Sequence, residues 1–217
     1  MAKYMIHTMP KRLWYVEQYL IPSLLQQGIY KNDIIVYNDI DKQGNLKACM
    51  NAYLQLPEEG STWHLQDDVV ISHKFAEITC RLDKDIVCGF KSVYDGDKPA
   101  GQVHLSDMWF SFLCIHIPNK IARECAEWVL RYMIGNPIYK EWWEKGTNDD
   151  MLFKKFLEQH YSDIAVLNLN PNIVDHIDYL IGGTVNSSKR IKQIRSELWE
   201  DEDVVENLEK MLKEADK

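Results

Sequence analysis

Alternation between strand-like and helix-like segments is the feature of this sequence that most constrains its fold. Short apolar or β-branched runs predict strands at 5–8, 33–38, 62–65 and 86–90. Apolar residues at helical spacing predict helices between them, at 11–27 with a kink at Pro22, at 46–56 and at 75–82. Strands that alternate with helices usually form a parallel sheet that is covered by helices. The sequence therefore predicts an α/β fold.

The later part of the chain is less regular and predicts a mixed sheet that remains mostly parallel. Its patterns predict strands at 108–117 and 164–169 and helices at 118–133 and 147–160. After Ser187 the composition becomes highly charged. A chain of 217 residues fits one large domain better than two small ones. We therefore predict a single domain over 1–187 and a charged helical tail over 188–217.

Composition narrows the classes of protein that the chain can belong to. The net charge of −8 argues against a broad nucleic-acid-binding surface, although a local basic patch is compatible with it. The five cysteines form no CxxC pair, which indicates reduced thiols in the core and gives no zinc-site spacing. No apolar stretch approaches the roughly 20 residues that span a bilayer, and the first residues lack a secretory signal pattern. We expect a cytoplasmic protein without a membrane span.

Two adjacent carboxylates, Asp67 and Asp68, lie inside the otherwise apolar stretch Trp63–Ser72. Burial of neighbouring carboxylates is costly unless a cation neutralises them. In open α/β sheets, ligands bind at the carboxyl ends of the strands, and Mg²⁺ or Mn²⁺ prefers oxygen ligands and often bridges to substrate phosphates. The segment therefore predicts a metal–diphosphate site. Its spacing alone is equally compatible with a solvated turn between two pieces of strand.

The same segment resembles the aspartate signature of GT-A glycosyltransferases, in which an acidic motif after an apolar strand holds a divalent cation against the diphosphate of a nucleotide sugar. The resemblance implies a GT-A-like, Rossmann-like fold, with Asp68 as a ligand of Mn²⁺ or Mg²⁺ and Asp67 facing the ribose or the sugar. The stretch 170–183 resembles the late histidine pattern of small bacterial and phage-encoded members, and it implies that His176 is a second metal ligand. Asp178 stands where that pattern has glycine. Taken alone, His176 is better explained by a structural role in a loop, and the acidic pair Asp67–Asp68 shifts the interpretation to a metal ligand.

An acidic pair at the start of the predicted helix 147–160 also resembles the family. The resemblance implies that Asp150, or next Asp149, is the general base that takes a proton from the acceptor hydroxyl. The alternative, structural interpretation is that Asp149 and Asp150 are ordinary first-turn residues of a helix that Thr147 or Asn148 caps.

Residues after the first two predicted strands complete the resemblance. Thr8, Arg12 and Asp39 lie at the carboxyl ends of the first two predicted strands or just beyond, where this family binds the nucleotide, and the resemblance implies that Arg12 pairs with phosphate. The alternative for each is a surface loop residue. The triplet Asp95–Asp97 formally matches an Asp-x-Asp motif, but its Gly and Pro neighbours are typical of a turn.

The resemblance thus implies a metal-dependent hexosyl- or pentosyltransferase. UDP-sugars are the favoured donors, and the acceptor hydroxyl belongs to a partner such as a modified DNA base or a surface glycopolymer. A phage-encoded member would act in the host cytoplasm. Two alternatives stay open: a catalytically inactive GT-A-like binding or structural module, and a nucleotidyltransferase. The latter is expected to have a glycine-rich phosphate loop after the first strand, whereas 7–12 contains no glycine.

Overall fold

The computed structural model describes residues 2–82, 86–90, 101–104, 111–133, 135–169, 172–178 and 181. The charged tail predicted at 188–217 and the turn predicted at 95–99 lie outside these residues. The described residues form an α/β fold in which helices flank a mixed, mostly parallel sheet, which confirms the predicted fold class at this level.

Nine strands and seven α-helices lie within the described part of the chain. The strands are β1 (Lys3–Thr8), β2 (Ile34–Asn38), β3 (Ser61–Gln66), β4 (Val69–Ile71), β5 (Ile86–Cys88), β6 (Gly101–His104), β7 (Cys114–Pro118), β8 (Ala165–Asn168) and β9 (Val174–His176). The helices are α1 (Leu13–Tyr15), α2 (Ile21–Gln26), α3 (Asn45–Leu54), α4 (Phe75–Thr79), α5 (Asn119–Trp128), α6 (Pro137–Lys145) and α7 (Asp149–His160). Short π-helical stretches follow α1 and α5, at Val16–Leu20 and Val129–Met133, and a 3₁₀ turn covers Lys31–Asp33.

The main sheet has the strand order β2-β1-β3-β7-β5-β8-β6. Parallel pairing joins β1 to β2 and β3, and also β5 to β8, whereas β7 and β6 run antiparallel to their neighbours. Five of the seven strands therefore point the same way. Because β1, β2 and β3 are parallel, their carboxyl ends lie together at one edge of the sheet, where ligands bind in open α/β folds.

A second, two-stranded sheet lies beside this edge. β4 pairs antiparallel with β9, and the register places Val69 opposite His176 and Ile71 opposite Val174. Since Asp68 immediately precedes β4, this pairing brings two segments together that are more than 100 residues apart in the sequence.

The core occupies both faces of the main sheet, because side chains alternate along each strand. On β1, Met5 joins the cluster beneath α3, α5 and α7, whereas Tyr4 and Ile6 join the cluster that includes Leu24 of α2 and Phe75 of α4. The five side chains from Tyr4 to Thr8 are all buried. The sheet is thus a rigid, doubly covered platform for the loops at its edge.

Several elements differ from the sequence predictions. The predicted helix 11–27 is present but widens to a π-helical turn directly before Pro22, which lies in the first turn of α2 and has no N–H to donate to the preceding turn. Of the strand predicted at 108–117, the described part is extended only from Cys114, and Phe112 lies in a turn. Helix α6 and the short strands β6 and β9 were not predicted.

Candidate functional site

A cleft of about 810 Å³ opens at the carboxyl ends of β1, β2 and β3. The cleft is lined by the loops that follow these strands and by residues 145–150, which join α6 to α7. All eight residues that the sequence analysis assigned to a site line this cleft: Thr8, Arg12, Asp39, Asp67, Asp68, Asp149, Asp150 and His176. The fold therefore gathers them, although their individual roles stay predictions.

A buried group of charged side chains forms the floor of the cleft at the end of β3. We call it the Arg12 cluster, and it consists of Arg12, Asp67, Asp68, His176 and Asp178. Arg12 Nη1 donates to Asp67 Oδ1 at 2.8 Å and to Asp68 Oδ2 at 3.0 Å, and Nη2 donates to Asp178 Oδ1 at 2.5 Å. Each of these side chains is less than a tenth exposed, apart from His176. Arg12 was expected to be a loop residue that is free to pair with phosphate. In the structure, both of its terminal nitrogens already bind carboxylates.

His176 reaches the cluster through the pairing of β9 with β4. Its Nε2 lies 3.2 Å from Asp68 Oδ2. Asp178 follows two residues later, in the turn after β9, where its Oδ1 accepts from Arg12 Nη2. The sequence analysis treated Asp178 only as a departure from a pattern. Its spacing from His176 was the available signal that it belongs to the same site.

Opposing effects set the protonation of the cluster. Burial disfavours the charge on Asp68, but hydrogen bonds and charges from His176 and Arg12 outweigh it and lower the pKa of Asp68. Burial also acts on His176, yet its contact with the Asp68 carboxylate raises the pKa of the imidazole. For Asp67, burial and the neighbouring Asp68 charge prevail over Arg12 and raise its pKa. The contacts with His176 and Arg12 thus favour the ionised form of Asp68.

The cluster has the chemistry of a divalent-cation site. Asp68, His176 and Asp178 each offer one ligand atom, and these atoms lie within 4.8 Å of one another. Asp68 Oδ1 is buried and has no hydrogen-bond partner among the described residues. Three carboxyl groups, those of Asp67, Asp68 and Asp178, surround one guanidinium, and a divalent cation would offset the excess of acidic groups. Two carboxylates with an imidazole suit Mn²⁺ better than Mg²⁺.

Thr8 and Asp39 hold the loops around the cluster. Thr8 Oγ1 donates to Asp67 Oδ2 at 2.8 Å, and the N–H of Met9 donates to the same oxygen at 3.3 Å. The Asp39 carboxylate accepts from the N–H of Gln43 at 3.0 Å and of Gly44 at 3.1 Å, which fixes the turn that leads into α3. Asp39 therefore has a clear structural task in addition to its predicted contact with the nucleotide.

Two glycines connect the walls of the cleft. Gly44 precedes α3 and Gly146 precedes α7, and both have left-handed φ angles, of 87° and 65°. A Cβ on Gly146 would lie 2.8 Å from Gln43 O and from Gly44 Cα, so the two backbones touch where only glycine fits. The N–H of Leu46 donates to Gly146 O at 3.1 Å across this contact. The contact aims the start of α7 into the cleft.

Asp149 and Asp150 occupy the first turn of α7 but differ in environment. Asp149 is buried, and its Oδ2 has no hydrogen-bond partner among the described residues. Burial and the neighbouring Asp150 raise the pKa of Asp149 to about 7. Asp150 is more exposed and accepts from the N–H of Met151 at 2.7 Å. Asn148 precedes the helix in the left-handed conformation without a side-chain cap, so the predicted capping by Asn148 is wrong, whereas the position of both aspartates in the first turn agrees with the alternative interpretation.

His7 is a cleft residue that the sequence analysis missed. It lies near the end of β1, it is 5% exposed, and its ring packs 5.9 Å from those of Tyr37 and His64. Burial lowers the pKa of His7 to about 4, so its imidazole is neutral and offers one donor and one acceptor. A polar residue within the apolar strand 5–8 was the signal for it.

Comparison with known proteins leaves the family open. No family model matches the chain, and no curated protein matches it either. Within the described residues, every helix is too short or too polar to cross a membrane.

Proposed function

We propose that this protein is a metal-dependent glycosyltransferase that moves a sugar from a nucleotide diphosphate donor to an acceptor hydroxyl. The observation that carries the proposal is that two acidic groups line the same cleft. The potential cation ligands Asp68, His176 and Asp178 line this cleft together with Asp149 and Asp150. This is the arrangement that the GT-A resemblance implies, and it sits at the ligand-binding edge of an α/β sheet.

The charge of the cleft supports a cation-dependent donor site. Six aspartates line the cleft, against Arg12 and Lys145 as its two basic residues among those described. Arg12 is already paired with three carboxylates, and Lys145 is paired with Glu141. A diphosphate would meet net negative charge in this cleft unless a divalent cation accompanied it. The cation would stabilise the charge that develops on the departing diphosphate.

The chain's own residues then have distinct tasks. Asp68, His176 and Asp178 hold the cation, and Thr8 and the Met9 N–H hold Asp67 towards the nucleotide. Asp149 or Asp150 accepts the proton of the acceptor hydroxyl. The bond from the anomeric carbon to the diphosphate oxygen breaks, a bond to the acceptor oxygen forms, and the nucleoside diphosphate leaves. Asp149 suits the base role because its pKa of about 7 lies near neutral pH.

The resemblance to GT-A glycosyltransferases is the basis for the choice of donor and acceptor. UDP-sugars that carry a hexose or a pentose are the favoured donors. Acceptors such as a modified DNA base or a surface glycopolymer, met in the host cytoplasm, fit a phage-type member of the family.

A screen of nucleotide sugars for Mn²⁺-dependent release of the nucleoside diphosphate tests the proposal. We expect release by the wild-type protein, and a loss of roughly a hundredfold or more for Asp68→Asn, which keeps the shape of the side chain. Asp33→Asn is the matched control, since Asp33 pairs with Lys3 outside the cleft. Equal release by wild type and Asp68→Asn would refute the role of Asp68.

One observation favours a second candidate, a binding module that does not catalyse transfer. Arg12 already neutralises part of the cluster, as a structural ion-pair network would. Calorimetry with UDP separates the two candidates: an absence of UDP binding, with and without Mn²⁺, would favour the module.

A further inference from the structure

Arg12 has an unusual position for an arginine that directly precedes a helix. It is 4% exposed, and it contacts carboxylates from two distant parts of the chain, at Asp67–Asp68 and at Asp178. The planar guanidinium presents several N–H donors in a fixed fork, which lets one side chain bind several carboxylates at once. Arg12 is therefore the element that links the end of β3 to the segment after β9.

The charges of the cluster indicate how stable it would be without the Arg12 guanidinium. The three carboxylates lie near one another in a buried site, and an unpaired buried charge is strongly destabilising. Arg12 supplies the fixed positive charge there, with His176 as the second basic group in contact with Asp68. Removal of the guanidinium would leave the carboxylates dependent on protonation or on an added cation.

The oxygen atoms show that Arg12 and a cation do not need the same positions. Arg12 and His176 both contact Oδ2 of Asp68, whereas Oδ1 is buried without a hydrogen-bond partner among the described residues. Arg12 uses Oδ1 of Asp178. A cation can therefore bind Oδ1 of Asp68 while the guanidinium keeps its place on Oδ2.

A direct contact between Arg12 and the donor phosphates is the competing explanation. Both terminal nitrogens already hold carboxylates, so that contact would break at least one ion pair in the cluster. In a buried site such a loss is costly. The geometry thus favours a role towards the carboxylates over a role towards the donor.

We propose that Arg12 is a positioning residue for the cation site, an internal counter-ion that holds Asp68 and Asp178 in place before a divalent cation binds and that weakens the binding of that cation by its own charge. This inference rests on the metal site of the proposed function. It makes the folded state independent of the cation, so that the protein can bind and release metal with its nucleotide without unfolding.

Thermal unfolding and calorimetric titration with Mn²⁺ alone test the inference. The variants are Arg12→Met, which keeps much of the length without the charge, and Arg12→Lys, which keeps the charge without the fork. Lys3→Met is the matched control, because it removes a cation from the Lys3–Asp33 pair at the other end of β1. Each variant is compared with wild type in chelator and in Mn²⁺.

We expect Arg12→Met to melt several degrees below wild type in chelator and to regain most of that loss in Mn²⁺. We also expect it to bind Mn²⁺ roughly tenfold more tightly, because a positive charge beside the cation is gone. The melting temperature and the Mn²⁺ affinity of Arg12→Lys should lie between those of Arg12→Met and wild type. Relative to its own stability in chelator, Lys3→Met should show the same response to Mn²⁺ as wild type. Equal melting of Arg12→Met and wild type in chelator, or an Mn²⁺ shift no larger than that of wild type, would overturn the inference.

A double variant keeps the test decisive if Arg12→Met does not fold in chelator. Arg12→Met with Asp67→Asn removes one charge of each sign and leaves the three candidate ligands intact, so it should be more stable in chelator than Arg12→Met alone. A double variant that is no more stable would contradict the counter-ion role. The variants could show the expected pattern with Mn²⁺ while the wild-type protein releases no nucleotide from any donor. That outcome would refute the proposed transfer and leave the role of Arg12 standing.

Discussion

At the scale of single residues, the carboxyl of Asp149 makes a prediction about stability. Burial raises its pKa from 3.8 to about 7 in the folded protein, so the folded state holds this proton more tightly than the unfolded state does. Folding should therefore lose stability as the pH rises from about 4 to about 7, by roughly a few kcal/mol. Urea unfolding of wild type and Asp149→Asn across this range measures the effect. The free energy of unfolding should fall more steeply with pH for wild type than for Asp149→Asn. Parallel curves would contradict the raised pKa of Asp149.

The same residue makes a prediction about catalysis. If Asp149 is the base, activity should rise with pH as this carboxyl ionises near pH 7, and Asp149→Asn should lose most of it. Asp150 raises the pKa of Asp149 by its charge, so Asp150→Asn should shift the rise to lower pH and keep activity. A pH profile of kcat/KM for the three proteins measures this. Loss of activity in Asp150→Asn, with activity retained in Asp149→Asn, would give the base role to Asp150.

Among the elements, the glycine contact joins the loop before α3 to the segment that leads into α7. Gly146→Ala forces a Cβ to within 2.8 Å of backbone atoms at a φ of 65°, so we expect a loss of about 2 kcal/mol or more in the free energy of unfolding. Activity should fall further, because Asp149 and Asp150 begin the displaced helix. Gly135→Ala is the control, since nothing lies within 4 Å of its added Cβ. Equal stability of the two variants would show that the contact is dispensable.

At the scale of the whole molecule, the sequence predicts what local patterns encode. The apolar runs gave β1, β2, β3 and their order with the helices, and Asp67 and Asp68 stand directly after one of these runs, so their place at the sheet edge followed from chain order. The burial of Arg12 could not be predicted in this way, because its partners lie 55 and 166 residues away and Met-Pro-Lys-Arg is typical of a surface turn.

Short elements were missed for a related reason. β9 has three residues, which is too few for an alternation pattern, and its extended form depends on pairing with β4. Asp178 was undervalued because its part in the site depends on that pairing. Long-range contacts thus account for the differences between the predicted and the observed site.

We propose that Asp68, His176 and Asp178, whose ligand atoms lie within 4.8 Å of one another, hold one divalent cation beside a nucleotide diphosphate. Anomalous diffraction from crystals grown with Mn²⁺ and UDP tests it most directly. We predict a single manganese peak within coordination distance of these three side chains and of the diphosphate. Nucleotide bound in the cleft with no manganese peak at these residues would contradict the claim.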